Sequence, residues 1–474
     1  MVGKPSVGTE PREAMLIACV DFGSTFTKAA LVDVVDGELV ATASHRTTLD
    51  TDVLDGWEAC KAQLAAVEPG AAAAQVLACS SAGGGLRIAV VGNEELVTAE
   101  AGRRVALSSG GRVVHVAAGG LDASSETGPL HALRDSEPDV VLLVGGTDGG
   151  NAEVVVGAAR ALSDASWEGP VVVAGNLDAR EEISVLLGRS GTPFVLADNV
   201  VPQIGLLRPD SARAAIREMF LRHVIGGKHL SQGADFTAMV RGATPDVVLS
   251  AVELLAHGLD EQRLGVGDVV VVDVGGATTD VHSVVALDPE DAGLARQVVA
   301  TVPVTRTVEA DLGMRWSAPS TVEEALAAGL VVDHEVASLR TAAEVRRADP
   351  AYLPQTADDA RHDEVLASVA VTLAMRRHAG RSKVVFDPRG RLVERSGKDL
   401  REVDVLVASG GVLRSNPDET VDRIMSSAVG EDTHGWQLPR APRLAVDRDY
   451  VLAAAGLLSA ENPNAAYRLV STLL

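Results

Sequence analysis

The sequence predicts an α/β protein of two lobes, with a separate parallel α/β domain inserted into the first. Three observations carry that expectation. A unit made of an apolar strand ending in Asp, a Gly-rich loop and a β-branched return strand occurs twice, at 15–35 and at 268–287. Between the copies, short Val/Leu/Ala runs alternate with stretches of helical composition, the pattern of a parallel sheet covered by helices. Aromatic residues are 3 % of the chain and apolar residues 46 %, so Val, Leu and Ala must fill the cores, as they do in parallel strands buried on both faces.

Length and charge narrow the class. The chain has 474 residues, enough for roughly two to four domains. Lys and Arg number 42 against 65 Asp and Glu, a net charge of −23, which describes an acidic globular protein and argues against nucleic acid as a partner, since a phosphate backbone is held by a basic surface. The cysteines, Cys19, Cys60 and Cys79, are odd in number and lack CxxC spacing, which argues against a disulfide framework or a zinc site and fits a reducing compartment. The first thirteen residues hold no apolar h-region and no stretch approaches eighteen uninterrupted apolar residues. The expectation is a cytoplasmic protein without a membrane span.

Each element follows in order. MLIACV, from Met15, reads as a strand, DFGSTFTK as a loop, and AALVDVV and ELVATAS as two antiparallel strands turning at Asp36-Gly37. These begin a first lobe over 14–74. Runs at 75–79, 87–91, 112–118, 139–144, 170–174 and 193–197 place the inserted domain at 75–215. Helical text at 210–228 and 245–257 returns the chain to the first lobe over 216–267. The second lobe, 268–474, opens with DVVVVDVGGATTDVHSVVAL, continues with helical, charged text over most of 321–384 and a short hairpin about 387–390, and reaches a strand-Gly-Gly-helix junction at 403–414. A last helix near 449–459 connects back, with Gly456 where another backbone would approach closely. The repeated unit reads as a weak internal duplication.

The chemistry concentrates in the loops. The first offers Asp21, Gly23, Ser24, Thr25, Thr27 and Lys28; the second offers Asp273, Gly275, Gly276, Ala277, Thr278 and Asp280. Glycine lets the main chain approach a phosphate, successive N–H groups form an anion nest, and hydroxyls add donors. Asp21 and Asp273, at strand ends, are placed to hold hydrated Mg2+, which favours one or two carboxylates plus waters and phosphate oxygens. Either loop alone could be an ordinary turn; two of one layout point to phosphate binding.

Other signals are weaker. Asp280-Val281-His282 invites comparison with a cobalamin-binding DxHxxG pattern, but position 285 is Val. HVIGGKHL at 223–230 and RSGKDL at 395–400 lack the spacing of a Walker A loop. Cys79-Ser80-Ser81 has no GxSxG context and reads as a strand-end thiol. Gly145 to Asn151 and Gly175-Asn176, at strand ends of the inserted domain, stand where open α/β sheets bind ligands, or serve as turns with Asn and Asp as caps. Arg376, Arg377, His378, Arg381 and Lys383 either flank a nucleotide or form a solvated helix face. Glu309 and Asp311 either approach the cleft or lie on the surface.

VDFGSTFTK (20–28), VVDVGGATTDV (271–281) and VASGGVL (407–413) resemble, in order, the two phosphate loops and the adenosine loop of the actin, Hsp70 and sugar-kinase ATPase superfamily. The resemblance implies two RNase H-like lobes with ATP or ADP between them. Asp21 and Asp273 would hold Mg2+ through water, and the Gly loops would grip the β- and γ-phosphates. Lys28 would be a charge partner, and Thr278 would stand near the γ-phosphate. Asp21 or Asp280 would orient the attacking water, and Gly410 and Gly411 would pass under the adenosine. A closer resemblance covers most of the chain. TDVLDGW (51–57), CSSAGGGLR (79–87), VLLVGGTDGGN (141–151), VVVAGN (171–176), ADNVVP (197–202) and TVEADLGMR (307–315) look like the MutL/GlmL family encoded beside adenosylcobalamin-dependent glutamate mutase, unrelated to the mismatch-repair protein of the same short name. That family is similar to the reactivating factors of diol dehydratase, which implies an ATPase that frees a cobalamin mutase from damaged cofactor. The inserted domain would face the mutase, and a homo-oligomer stays open. Alternatives within the superfamily are a small-molecule kinase, an activator of a radical dehydratase, a hydantoinase-like hydrolase, or a scaffold that binds ATP without turning it over.

Overall fold

In a computed structural model the structure describes residues 14–121, 128–227, 230–231, 234–286, 302–387, 390–432 and 434–474. The first thirteen residues, Lys228 and His229 of the 223–230 stretch, and Leu287 at the end of the second return strand lie outside the described residues.

The first sheet contains β1 (Leu16–Phe22), β2 (Phe26–Asp33), β3 (Glu38–Arg46), β4 (Gln75–Ser80) and, much later in sequence, β10 (Val240–Ala243). Its order is β10-β4-β1-β2-β3, with β1 antiparallel to β2 and parallel to β4. The inserted sheet is made of β5 (Leu86–Gly92), β6 (Gly111–Ala118), β7 (Val140–Leu143), β8 (Val171–Val173) and β9 (Phe194–Leu196), in order β6-β5-β7-β8-β9 and all parallel. After a two-stranded ribbon, β11 (Gly258–Asp260) and β12 (Arg263–Leu264), the second lobe builds β13 (Val269–Val274), β14 (Thr279–Val284) and β15 (Val304–Glu309). The hairpin β16 (Arg381–Asp387) and β17 (Gly390–Ser396) follows, then β18 (Val405–Ser409) and β19 (Arg443–Val446). The second-lobe sheet runs β15-β14-β13-β18-β19.

The two lobes therefore carry one topology. β1, β2, β3, β4 and β10 correspond to β13, β14, β15, β18 and β19, and each fifth strand leads into a helix, at once into Thr244–His257 in the first lobe and after four residues into Val451–Leu458 in the second. These helices pack on each other between the sheets. A Cβ on Gly456 would lie 2.0 Å from the Val247 carbonyl oxygen, the close approach expected there.

The expected start of the inserted domain needs correction. Gln75–Ser80 is β4, which pairs with β1 through Cys19↔Leu77 and Asp21↔Cys79 and so belongs to the first sheet; the inserted strands begin at Leu86. A run of buried Val, Leu and Ala looks alike in any parallel sheet, and only pairing assigns it. Nor is the insert a detached appendage. One face of its sheet (Ile88, Val90, Leu142, Val172) shares a continuous core with Ala18, Val20, Phe22 and Ala78 of the first lobe.

Candidate functional site

The two Gly loops are built alike. At the tip of β1 the Gly23 N–H donates to Phe26 O at 3.2 Å, and at the tip of β13 the Gly275 N–H donates to Thr278 O at 2.9 Å. A Cβ on either glycine would come within 2.7 or 2.9 Å of that same oxygen, so no larger residue fits. The loop carbonyls are engaged from behind. Gly23 O accepts from the Thr47 hydroxyl (2.8 Å) and Thr25 O from the Thr47 N–H (2.9 Å). In the second loop Gly275 O and Gly276 O accept from the N–H groups of Met314 (3.0 Å) and Arg315 (2.8 Å), and Ala277 O from the Ser317 hydroxyl (2.6 Å). The amides of Ser24, Thr25, Gly276 and Ala277 find no acceptor among the described residues, the arrangement of an anion nest. The loops also meet: a Cβ on Gly276 would lie 3.0 Å from Thr25 Oγ1, an oxygen that is buried and without a hydrogen-bond partner.

Strand register sets the charges. Asp21 pairs across β1 and β2 with Lys28, and Asp273 across β13 and β14 with Asp280, so each loop carries two ionisable side chains on one face. Asp21 Oδ1 accepts from Thr244 Oγ1 at 2.6 Å, with Cys79 Sγ at 3.7 Å, and Asp21 Oδ2 lies 3.9 Å from Lys28 Nζ. The pKa of Lys28 is raised: removal from water opposes its charge, and Tyr450, Asp21 and Asp273 more than offset that. Burial pushes Asp273 up to about 6, with Lys28 acting against the shift and Asp280 and Asp21 adding to it. Asp280 is also raised, chiefly by burial, despite Arg306 Nη2 at 3.1 Å from its Oδ1; the Thr278 hydroxyl stands 3.5 Å from its Oδ2.

The third loop closes this face. Gly410 has φ +97°, and a Cβ there would sit 2.3 Å from Val274 O and 2.8 Å from Asp273 Oδ1, whereas Gly411 faces open space. Tyr450, with left-handed φ of 58°, has both Lys28 Nζ and the Arg414 guanidinium over its ring, each 3.9 Å from the ring centre. Asp447 accepts from the N–H of Val451 at 2.8 Å, and burial raises its pKa to about 6.

Some expected residues stand elsewhere. Thr27 alternates with Lys28 on β2, so it faces the other way: it is fully buried, 3.3 Å from Thr47 Oγ1 and close to Gly56 of the helix Val53–Val67. It is not brought to the cleft. Of the basic cluster, Arg376, Arg377, His378 and Arg381 are engaged within the second lobe, and the Lys383 side chain lies outside the described residues. Arg377 bridges Glu309, Asp311 and Glu324 at 2.8, 2.8 and 2.6 Å, which also accounts for Glu309 and Asp311, the two carboxylates left open between cleft and surface. His378 is buried between Ser283 (2.8 Å) and Thr307 (3.0 Å), and burial pushes its pKa down to about 3. Cys79 is a fully buried strand-end thiol, its pKa raised chiefly by burial, and His282 is buried on the return strand. The strand ends of the insert satisfy one another: Asn199 donates to Gly146 O and Asp148 Oδ1, and Asn176 to Gly150 O, as caps and turns do.

Sequence reasoning missed Thr244, Arg306, Asp447 and Tyr450. Thr244 had a signal, because Thr-Pro-Asp ahead of an apolar run marks a helix start; its hydroxyl turns to Asp21 instead of capping its own helix. Among the described residues no group of three or more His, Cys, Asp or Glu side chains is placed to hold a metal ion, and no helix is long and apolar enough to cross a membrane.

Two copies of one five-stranded sheet, each with a Gly loop and a carboxylate at the tip of its central strand, define a two-lobed fold of the actin and Hsp70 ATPase type. The chain belongs to the MutL family, whose model, described as MutL protein, matches residues 17–474. It is 35 % identical over 462 residues to Protein MutL of Clostridium tetanomorphum, covering 96 % of this chain and 98 % of that one. Among solved structures it is similar to a nucleotide-free acetone carboxylase (TM-score 0.39, 14 % identity, 94 % of this chain and 71 % of that one). It is also similar to the activator of 2-hydroxyisocaproyl-CoA dehydratase from Clostridium difficile with bound ADPNP (TM-score 0.28, 10 % identity, 95 % and 96 %).

Proposed function

We propose that the chain is a Mg2+-dependent ATPase that acts as a reactivating, chaperone-like factor, using ATP hydrolysis to release damaged cobalamin from an adenosylcobalamin-dependent mutase of the glutamate or amino mutase type. The observation that carries the ATP site is the facing pair of Gly loops, whose carbonyls are engaged from behind while four amides lack acceptors. The donor set suits hydrated Mg2+: Asp21 and Asp273 stand at the strand tips, burial pushes Asp273 up to about 6 even with Lys28 nearby, so a further cation is welcome there, and Thr25 Oγ1 is an orphaned oxygen between the loops. Mg2+, when bound, neutralises phosphate charge and polarises the γ-phosphate.

The chain's own residues do the rest. The amides of Ser24, Thr25, Gly276 and Ala277 hold phosphate oxygens, Lys28 balances their charge, and Gly410 lets the third loop approach the nucleotide. Thr278 and Asp280 stand together on the return strand, where a carboxylate can orient the attacking water; Asp21 is the other candidate.

Membership of the MutL family supports the mutase partner. A mutase that has lost its adenosyl radical keeps an inactive corrinoid in a closed pocket. A factor that binds the mutase with different affinity in its ATP and ADP states can pull that pocket open and then let go. The inserted domain is the partner-facing part. Because it shares a core with the first lobe, its response is a local shift rather than a free swivel. The test is to load a glutamate mutase with hydroxocobalamin and measure released corrinoid with this protein and Mg·ATP. Release with ATP, and none with a non-hydrolysable analogue, is expected. No complex with the mutase, together with ATP turnover driven by one small metabolite, would sink the reading.

A further inference from the structure

One short turn of the inserted domain, residues 107–111, joins the helix Glu100–Ser108 to β6 and touches both lobes at once. On the second-lobe side the contact is Arg306. Its position on β15 is opposite His282, one pleat from Asp280 on the same face of the sheet. Its side chain is nearly fully buried and spans two structures. Nη2 reaches Asp280 Oδ1 at 3.1 Å, while Nη1 faces the carbonyl oxygens of Leu107 at 3.4 Å and Gly111 at 3.5 Å. On the first-lobe side the contact is the start of the helix Thr244–His257. Gly110, at φ +78°, lies so close that a Cβ would be 2.8 Å from the Asp246 nitrogen and 2.9 Å from its Cβ. Two residues earlier in that helix, the Thr244 hydroxyl holds Asp21. The turn is thus one side chain away from a cleft carboxylate in each lobe.

We infer that the 107–111 turn senses the nucleotide for the inserted domain, with Arg306 as the positioning residue that links Asp280 to the Leu107 and Gly111 carbonyls, and Thr244 with Asp246 as the matching limb from Asp21. This deepens the proposed ATPase reading and rests on it. A buried guanidinium is costly wherever its N–H groups go unpaired, and with Arg306 Nε lacking a partner among the described residues the Nη contacts alone hold the group. When phosphate charge arrives beside Asp280, the balance of its pull between carboxylate and carbonyls shifts. The carbonyl contacts at 3.4 and 3.5 Å are long and have room to tighten or release. Lysine cannot replace this function, because one ammonium does not fork between two acceptor sets as guanidinium does. Movement of the turn is delivered to β6, an edge strand of the inserted sheet. Beside it runs a groove of about 540 Å3 lined by Arg112, His115 and Val116 on one side and Val308 and Ala310 on the other.

The experiment is amide hydrogen exchange of the full chain, read by mass spectrometry without nucleotide and with saturating Mg·ADPNP or Mg·ADP. In the wild type, peptides over 21–28 and 273–280 are protected by both nucleotides, and peptides over 100–118 exchange several-fold differently in the two states. Arg306→Lys keeps the loop protection and loses the difference at 100–118. Gly110→Ala, which wedges a methyl against Asp246, loses it too. The wild-type comparison stands even if neither variant folds. Protected loops with no difference at 100–118 overturn the coupling alone, whereas loops that no nucleotide protects overturn the ATPase reading and the coupling with it. A uniform rise in exchange in Arg306→Lys with the difference intact marks a merely structural residue and also overturns the coupling.

Discussion

Asp21→Asn separates a catalytic role for the cleft from a structural one. Asparagine keeps the shape of the side chain and an Oδ1 that can accept from Thr244 at 2.6 Å, while removing a charge 3.9 Å from Lys28 Nζ. At that distance and an effective dielectric constant of 20 the lost attraction is about 4 kcal/mol. Much of it is offset because the carboxylate no longer has to leave water, and the Lys28 side chain keeps 24 % exposure together with Tyr450 and Asp273 as neighbours. The net loss of stability should be about 1–2 kcal/mol, a fall in Tm of a few degrees. Transition-state charge is a different matter: removing one preorganised group that stabilises it costs about 3–4 kcal/mol, or roughly 100- to 1000-fold in turnover. Phosphate release at saturating Mg·ATP, measured beside thermal unfolding, reads both quantities. Hydrolysis within about threefold of wild type would refute the cleft assignment, and a loss of activity that tracks unfolding would refute the separation.

Further outcomes follow from the same geometry. Asp273 titrates near 6 and Mg2+ favours its anion, so calorimetric affinity for Mg·nucleotide should fall about tenfold per pH unit below 6 and be flat above 7. Asp447 is raised to about 6, so between pH 4 and 6 the native state binds more protons than the unfolded one. Its contribution to stability is therefore present at low pH and lost as pH rises through 6. Asp447→Asn keeps an acceptor for the Val451 N–H, and thermal melts should show it gaining up to about 3 kcal/mol over wild type at pH 8 and much less at pH 4. Gly410→Ala combines left-handed φ with a 2.3 Å contact on Val274 O; nucleotide affinity should drop more than tenfold, about 1.4 kcal/mol. Gly456→Ala drives a methyl onto the Val247 carbonyl at 2.0 Å, and chemical denaturation should report a loss of about 3 kcal/mol.

The readable part of this molecule was whatever repeats or punctuates locally. The Asp-Gly loops announce themselves because glycine and small hydroxyl residues are rare between β-branched strands, and Gly456 stood out inside an Ala/Leu helix. What stayed hidden depends on pairing across the chain. β4 is indistinguishable from an inserted strand until it is seen beside β1. Thr27 belongs to a convincing string but faces the helix behind the loop, because strand alternation overrides proximity in sequence. Arg306 is one charge in a β-branched run, and its meaning comes from Asp280, 26 residues earlier, and the Leu107 carbonyl, 199 residues earlier. Tyr450 gives no local hint of a left-handed backbone or of the two cations over its ring.

The duplicated cradle is copied in backbone but not in chemistry. Where the first copy carries Lys28 across from its aspartate, the second carries Asp280. A cradle with true twofold symmetry would receive a chain of phosphates equally well from either end. One exchange of a cation for an anion removes that ambiguity, giving the cleft a head and a tail before any base-recognising residue takes part.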